Sequence, residues 1–204
     1  VINSDDDVVY SQVIVFKNCE VEFYENGQLK FIENKNEDGK KDGLSTHWYE
    51  NGQKSIERTF KDGKKDGLST NWYENGQKMS EVLYKDGKKD GLTTGWYENG
   101  QKKSEKTFKD GKKDGLEILW KNNGQKWTEV SWNGRKKNGL LTVYHENGQK
   151  EFEGTIKDEK EDGLFTGWDE NGQKEVEGTH NNGKQVGKWT YYNEDGTVKE
   201  VKEY

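Results

Sequence analysis

The chain has 204 residues, 33 basic and 39 acidic side chains, a formal net charge of -6, 27% hydrophobic residues and a mean hydropathy of -1.34. A chain this polar has too little apolar surface for one thick core, and it carries no sustained basic stripe of the kind that draws nucleic-acid phosphates or an anionic membrane. Yet 12% of its residues are aromatic and recur at fixed places, which excludes the disorder that polarity alone would imply.

Residues 1–18 do not repeat. Asp5, Asp6 and Asp7 form a solvated acidic cluster, and Val8 to Phe16 is rich in β-branched and aromatic residues, which predicts a capping strand. The first residue is Val rather than Met, the expected outcome of signal-peptide processing or of how the chain was made.

From residue 19 to 204 the chain repeats every 24 residues. Gly27, Gly52, Gly76, Gly100, Gly124, Gly148, Gly172 and Gly196 form one series, preceded by Asn in all but the last. Gly43, Gly67, Gly91, Gly115, Gly139, Gly163 and Gly187 form a second. An Asn-Gly pair between alternating runs is a strong hairpin signal, so Glu-Asn-Gly-Gln predicts a tight turn. Asp-Gly-Lys-Lys-Asp-Gly predicts a longer connection of three to five residues, with both glycines inside it.

The segments between turns read as strands. Leu92, Thr94 and Trp96 fall on one face and Tyr97 on the other; Glu105 and Thr107 oppose Ser104, Lys106 and Phe108. Neither run has helical spacing. Phe23, Trp48, Trp72, Trp96, Trp120, Tyr144, Trp168 and Tyr192 lie four residues before the first-series glycines and predict a structural aromatic spine, stabilised by stacking between neighbours rather than by a central core. The fold expected is all-β: an elongated, twisted antiparallel sheet of about eight consecutive hairpins.

The first repeat, Cys19 to Asp42, has one additional residue before Gly39. Ile32 stands where later repeats carry Glu57, Glu81, Glu105, Glu129, Glu153 and Glu177, and Val201 replaces that glutamate at the other end, as expected of capping repeats. The glutamate column reads as a ladder answering lysines or backbone donors. The fifth repeat departs from the pattern: Asn133-Gly134 comes one residue early and Arg135 to Gly139 restores the register, which predicts an altered turn.

Phe152-Glu153-Gly154-Thr155-Ile156, with Gly163 and Trp168 to Gly172 after it, resembles the membrane occupation and recognition nexus (MORN) repeat. Tyr-Glu-Asn-Gly-Gln-Lys is similar to its bacterial variant. The resemblance covers about residues 19 to 204 and implies a sheet of hairpins with a groove. Many bacterial members are described as antitoxins, and eukaryotic relatives act as membrane scaffolds. The glycine of the eukaryotic core occurs here only as Gly154 and Gly178, with Arg58, Val82, Lys106 and Val130 elsewhere, which weakens a lipid-binding analogy.

No site of chemistry is visible. His47, His145 and His180 occupy different columns, which predicts no catalytic residues, no metal and no cofactor. Loops such as Asn36 to Gly43 place lysines where a calcium loop needs oxygen ligands. Cys19 is alone, so no internal disulfide forms, and no apolar run reaches the length of a membrane-spanning helix. Proline is absent, leaving Lys and Glu to guard the strand edges.

One column breaks the symmetry. The residue before Glu-Asn-Gly is Tyr24, Tyr49, Tyr73 and Tyr97 in four repeats, then Lys121, His145, Asp169 and Asn193. Two readings compete: a rigid stripe for a protein partner, or packing against Lys54, Lys78 and Lys102 with cation-π character. The expected function is non-enzymatic protein binding on a sheet face, as an antitoxin or immunity-like protein. The alternative is a secreted or surface repeat protein that adheres or self-associates through its end strands. The compartment follows from that choice: cytoplasmic for an antitoxin, secreted or cell surface if Val1 is a processed terminus.

Overall fold

A computed structural model describes residues 13–16, as backbone, and residues 18–204. The expected cap of Val8 to Phe16 therefore lies outside the described residues up to residue 12. Its remainder is strand β1 (Val13–Phe16), which pairs antiparallel with β2 (Cys19–Phe23).

Two compact units divide the chain, residues 1–88 and 89–204. In the first, β1 and β2 are followed by β3 (Leu29–Lys35), β4 (Lys41–Trp48), β5 (Lys54–Lys61), β6 (Lys64–Trp72) and β7 (Lys78–Lys85). The second holds β8 (Lys88–Trp96) from its second residue, β9 (Lys102–Lys109), β10 (Lys112–Trp120), β11 (Lys126–Asn133) and β12 (Lys136–Tyr144). It continues through β13 (Lys150–Lys157), β14 (Lys160–Trp168), β15 (Lys174–Asn181), β16 (Lys184–Tyr192) and β17 (Val198–Glu203). Within each unit every strand pairs antiparallel with the next, and no helix occurs among the described residues. The all-β meander of hairpins is thus the observed fold.

The two turn types exchange the geometries expected of them. Asp62-Gly63 is a two-residue hairpin turn: Lys61 pairs with Lys64, and both turn residues have positive φ, 48° and 82°. That is the mirror-image turn whose twist matches its strands. Glu-Asn-Gly is instead a three-residue loop. Gly52 N–H donates to Tyr49 O (2.9 Å), Tyr49 N–H donates to Gln53 O (2.8 Å), and only the glycine has positive φ. Asn51 keeps a negative φ, and its Oδ1 accepts from Gln53 N–H (3.0 Å), an Asx-type brace.

The second-series glycine is not part of a turn at all. Gly67 lies inside β6 at φ 111°, where Asp66, Gly67 and Leu68 span the interval opposite Thr59 and the register shifts. A Cβ at Gly67 would approach Thr59 Cβ to 3.2 Å. Glycine is needed there for both conformation and space, as at other β-bulges.

Burial is also distributed differently from the expected spine. Each spine aromatic ends its strand and is only half-buried. Most of the buried side chains are polar: Ser45 and Thr46, Ser69 and Thr70, Thr93 and Thr94, Thr142 and Thr190, with Glu33 and Glu117. Mid-strand positions sit between neighbours on both sides: Ser45 lies between Glu33 and Arg58, and Ser69 between Arg58 and Val82. Buried apolar residues are few, namely Val21, Val82, Val130, Ile156 and Trp189.

Candidate interaction surface

The glutamate column has the partners expected of a ladder. Lys54 pairs with Glu57, Lys78 with Glu81 (2.5 Å), Lys102 with Glu105 (2.5 Å), Lys126 with Glu129, Lys150 with Glu153 (2.5 Å) and Lys174 with Glu177 (2.7 Å). Residues three apart on a regular strand face opposite ways, so these pairs need a bulge. The register shift at Trp48–Lys54 supplies one by leaving Ser55 unpaired, and later repeats repeat it.

The lysines do a second job. Lys54 lies over the Trp72 ring (5.7 Å), Lys102 over Trp120 (5.6 Å), Lys126 over Tyr144 (5.9 Å) and Lys150 over Trp168 (5.6 Å). Lys54 and Lys102 therefore cover the next repeat's spine rather than the tyrosine stripe. Cations on that stripe include Lys30 over Tyr24 (5.7 Å) and Lys103 over Tyr97 (5.3 Å).

A second aromatic column went unread in the sequence: Phe60, Tyr84, Phe108 and Trp132 near the ends of the outgoing strands. Lys41, Lys65, Lys89 and Lys113 stand over these rings at 5.5, 4.8, 5.0 and 4.1 Å. Its signal was available, because an aromatic precedes the Asp-Gly turn by two residues in each of repeats two to four.

The tyrosine stripe is tied into the sheet. Tyr24 donates its hydroxyl hydrogen to Trp48 O (2.7 Å), Tyr49 to Trp72 O (2.7 Å) and Tyr97 to Trp120 O (2.8 Å). His145 takes the same place in a later repeat, its Nε2–H donating to Trp168 O (2.8 Å). The tyrosine rings, Tyr73 included, are half-buried, so part of each remains open. Burial raises the Tyr49 phenol pKa.

Most of the exposed leucines belong to another column. In the first unit Leu44 and Leu68 are exposed, with Leu83 paired across from Leu68; in the second, Leu92, Leu116, Leu140 and Leu164 are 46 to 75% exposed. Each leucine follows a bulge glycine and lies opposite Thr59, Leu83, Thr107, Ser131, Thr155 or Thr179. Sequence reading placed Leu92 correctly beside Thr94 and Trp96 but did not recognise it as open surface.

Ser, His and a carboxylate meet only in the first unit's β3–β4 pair, among the described residues. Ser45 Oγ lies 3.4 Å from His47 Nε2, and Glu33 Oε1 lies 3.3 Å from the same nitrogen. A proton relay needs its two partners on opposite ring nitrogens, and Ser45 is 3% exposed. The ion-pair partner of Glu33 is Lys41, and the cluster is structural packing. Burial opposes the Glu33 carboxylate, but Lys41 and His47 outweigh it and hold its pKa below the usual range. Burial likewise lowers the pKa of His47. Glu117 repeats the theme between Lys113 (2.7 Å) and Lys106 (3.2 Å).

Among the described residues no group of three or more His, Cys, Asp and Glu side chains could hold a metal ion. In the loop that superficially suggests calcium, Asn36 Oδ1 accepts from Asp38 N–H (3.1 Å) and Lys40 N–H (3.0 Å).

Toward the C-terminus the sheet becomes aromatic. Phe165 stacks between Phe152 and Trp189, 5.8 Å from each, and His180 meets Trp189 edge-on at 4.9 Å. Gly154 and Gly178 make this packing feasible: a Cβ would come within 3.3 Å of the Phe165 ring and 2.2 Å of the Trp189 ring. The aromatic-x-Gly spacing is therefore a cradle for a ring from the next strand. The profile of the MORN repeat variant matches residues 18–34, 41–62, 65–86, 89–110, 137–158, 161–182 and 185–204, most of the chain.

The chain belongs to the MORN repeat variant family. Its seven matches pass over residues 111–136, the repeat whose turn comes early at Asn133-Gly134. MORN repeats commonly serve protein or membrane interactions, and the family's hairpin sheet is generally non-catalytic. A search of the curated proteins gave no match.

Proposed function

We propose that this MORN-repeat chain is a non-enzymatic binding protein that holds a protein partner on a sheet face, in the manner of an antitoxin or immunity protein. The observation that carries this reading is the leucine column. Leu92, Leu116, Leu140 and Leu164 recur at equivalent positions of one unit and stay exposed, although nothing in the hairpin architecture requires an apolar residue there. A row of exposed apolar side chains rimmed by charge marks an interaction surface more often than chance exposure does. The half-open rings of Tyr24, Tyr49, Tyr73 and Tyr97 add rigid contact area whose hydroxyls are already committed or partly buried.

The test compares the wild type with a Leu92→Glu, Leu116→Glu, Leu140→Glu variant as bait in native extracts, after circular dichroism has established that the variant folds. The reading expects one protein retained in stoichiometric amount by the wild type and lost by the variant. Equal retention by both would exclude the leucine column as the binding surface. Retention of only further copies of the chain, with concentration-dependent oligomers in sedimentation, would favour the alternative of a secreted or surface protein that self-assembles.

A further inference from the structure

The chain contains ten Asn-Gly pairs, the dipeptide most prone to lose its side-chain amide, and the structure treats them unequally. In that reaction the backbone nitrogen of the glycine attacks Cγ of the asparagine. The side-chain nitrogen departs as ammonia, taking the proton the glycine nitrogen gives up, and a five-membered succinimide closes. Water then adds to one of its two carbonyls, giving aspartate or isoaspartate. No oxidant or cofactor takes part. The reaction needs a mobile asparagine amide and a glycine N–H that is not already bonded.

Most of the first-series turns deny both. Asn51 Oδ1 accepts from Gln53 N–H (3.0 Å), Asn51 Nδ2 donates to Glu74 O (2.9 Å), and Gly52 N–H is held by Tyr49 O (2.9 Å). Asn26 and Asn99 are held in the same threefold way, reaching Glu50 O (3.1 Å) and Asn122 O (2.8 Å), and Asn147 reaches Glu170 O. Asn123 has both amide atoms engaged by Gln125. Among the described residues the side-chain amides of Asn171 and Asn182 are not held in this way, yet the glycine nitrogens remain bonded, Gly172 to Asp169 O (3.0 Å) and Gly183 to Glu161 O (2.8 Å). Asn138-Gly139 lies within a paired strand.

At Asn133-Gly134 the asparagine ends β11 opposite Lys136 and the glycine opens the turn. In five two-residue turns the second residue's N–H donates to a neighbouring strand: Gly63 to Lys41 O, Gly87 to Lys65 O, Gly111 to Lys89 O, Glu159 to Lys137 O and Gly183 to Glu161 O. The early turn of the fifth repeat moves Gly134 out of that position. Among the described residues neither its N–H nor the Asn133 amide has a hydrogen-bond partner, and Asn133 is exposed. We propose that Asn133-Gly134 is the chain's preferred site of spontaneous deamidation, and that the asparagine brackets of the first-series turns protect the others. Conversion there sets a new carboxylate beside Arg135 and Lys136, or lengthens the backbone by one carbon at the strand end that closes the two-residue turn Gly134-Arg135.

The intact protein is held in mildly alkaline buffer at physiological temperature and sampled by tryptic peptide mass spectrometry. Residues 42–54, 90–102 and 127–135 form separate peptides with one asparagine each, Asn51, Asn99 and Asn133. The peptide 127–135 is expected to gain one mass unit at least about tenfold faster than the other two, because each hydrogen bond that must break lowers the reactive population several-fold. In denaturant the three rates are expected to converge. The variant Asn133→Gln is expected to abolish the shift in that peptide and leave the other two unchanged. Equal rates in the native protein would overturn the proposal, as would an advantage at Asn133 that persists in denaturant.

Discussion

The phenol of Tyr49 donates its hydrogen to the backbone carbonyl of Trp72, 2.7 Å away and 23 residues along the chain. Each such bond ties the turn of one repeat to the end of the strand that opens the next turn. Tyr49→Phe keeps the ring and removes only the donor. It is expected to cost about 1 kcal/mol, read as a lower urea midpoint at unchanged m-value. An unaltered midpoint would show that the bond contributes nothing net.

Gly178 faces the Trp189 ring so closely that a methyl group would sit 2.2 Å from it. Trp189 is 2% exposed and cannot swing aside. Gly178→Ala is expected to destabilise by about 1–3 kcal/mol or more and to change the near-ultraviolet circular dichroism of the aromatic cluster. A wild-type spectrum and midpoint would mean that the ring is not held in this position.

Asp158-Glu159 forms a two-residue turn of the mirror-image type with no glycine, at φ 49° and 70°. Gly63, Gly87, Gly111 and Gly183 hold the second position in equivalent turns. A non-glycine residue in the left-handed region costs about 1–2 kcal/mol, partly offset by the greater unfolded-state freedom of glycine. Glu159→Gly is therefore expected to stabilise the protein by about 0.5–1 kcal/mol in chemical denaturation. Destabilisation would contradict the turn geometry.

Acidification should weaken the first unit in two stages. The pKa of His47 is lowered on folding, so its contribution is complete above its unfolded pKa and declines as pH falls below that value, near 6.5. The pKa of Glu33 is also lowered, so its contribution persists below that range and is lost as pH falls from about 4.5 through the folded value. His47→Asn, which installs the residue found at Asn71 one repeat later, should remove the upper stage and keep the lower. A stability profile flat between neutral pH and the carboxylate range in the wild type would contradict this.

Much of the fold was legible because the repeat displays each hairpin several times. The first glycine series located one of the two turns, alternation placed Leu92 with Thr94 and Glu105 with Thr107, which the register then brings onto a common face, and the glutamate column was readable as a ladder answering lysines or backbone donors. What escaped reading had physical reasons. Asp62-Gly63 and Asp66-Gly67 look alike as letters, but the first bends the chain and the second bulges it. That difference depends on Thr59 lying across the strand pair, which local sequence does not display. Burial was misplaced because Ser45 and Thr46 are polar by composition, while the residues beside them, Glu33 and Arg58 for the first and Ile32 and Glu57 for the second, come from neighbouring strands. The tyrosine stripe stood out as an aromatic column, but the carbonyls that engage its hydroxyls are backbone groups, which no side-chain pattern reveals.

The bond from Tyr49 to Trp72 O and the bond from Asn51 to Glu74 O both span 23 residues, one less than the repeat period. Their counterparts from Tyr97 and Asn99 span the same interval. The acceptors are main-chain oxygens, so they are supplied by whatever unit comes next, regardless of its side chains. Duplication or loss of one 24-residue segment by unequal recombination would therefore return every donor to an equivalent acceptor. For this family member, length is open to evolutionary adjustment without compensating substitutions.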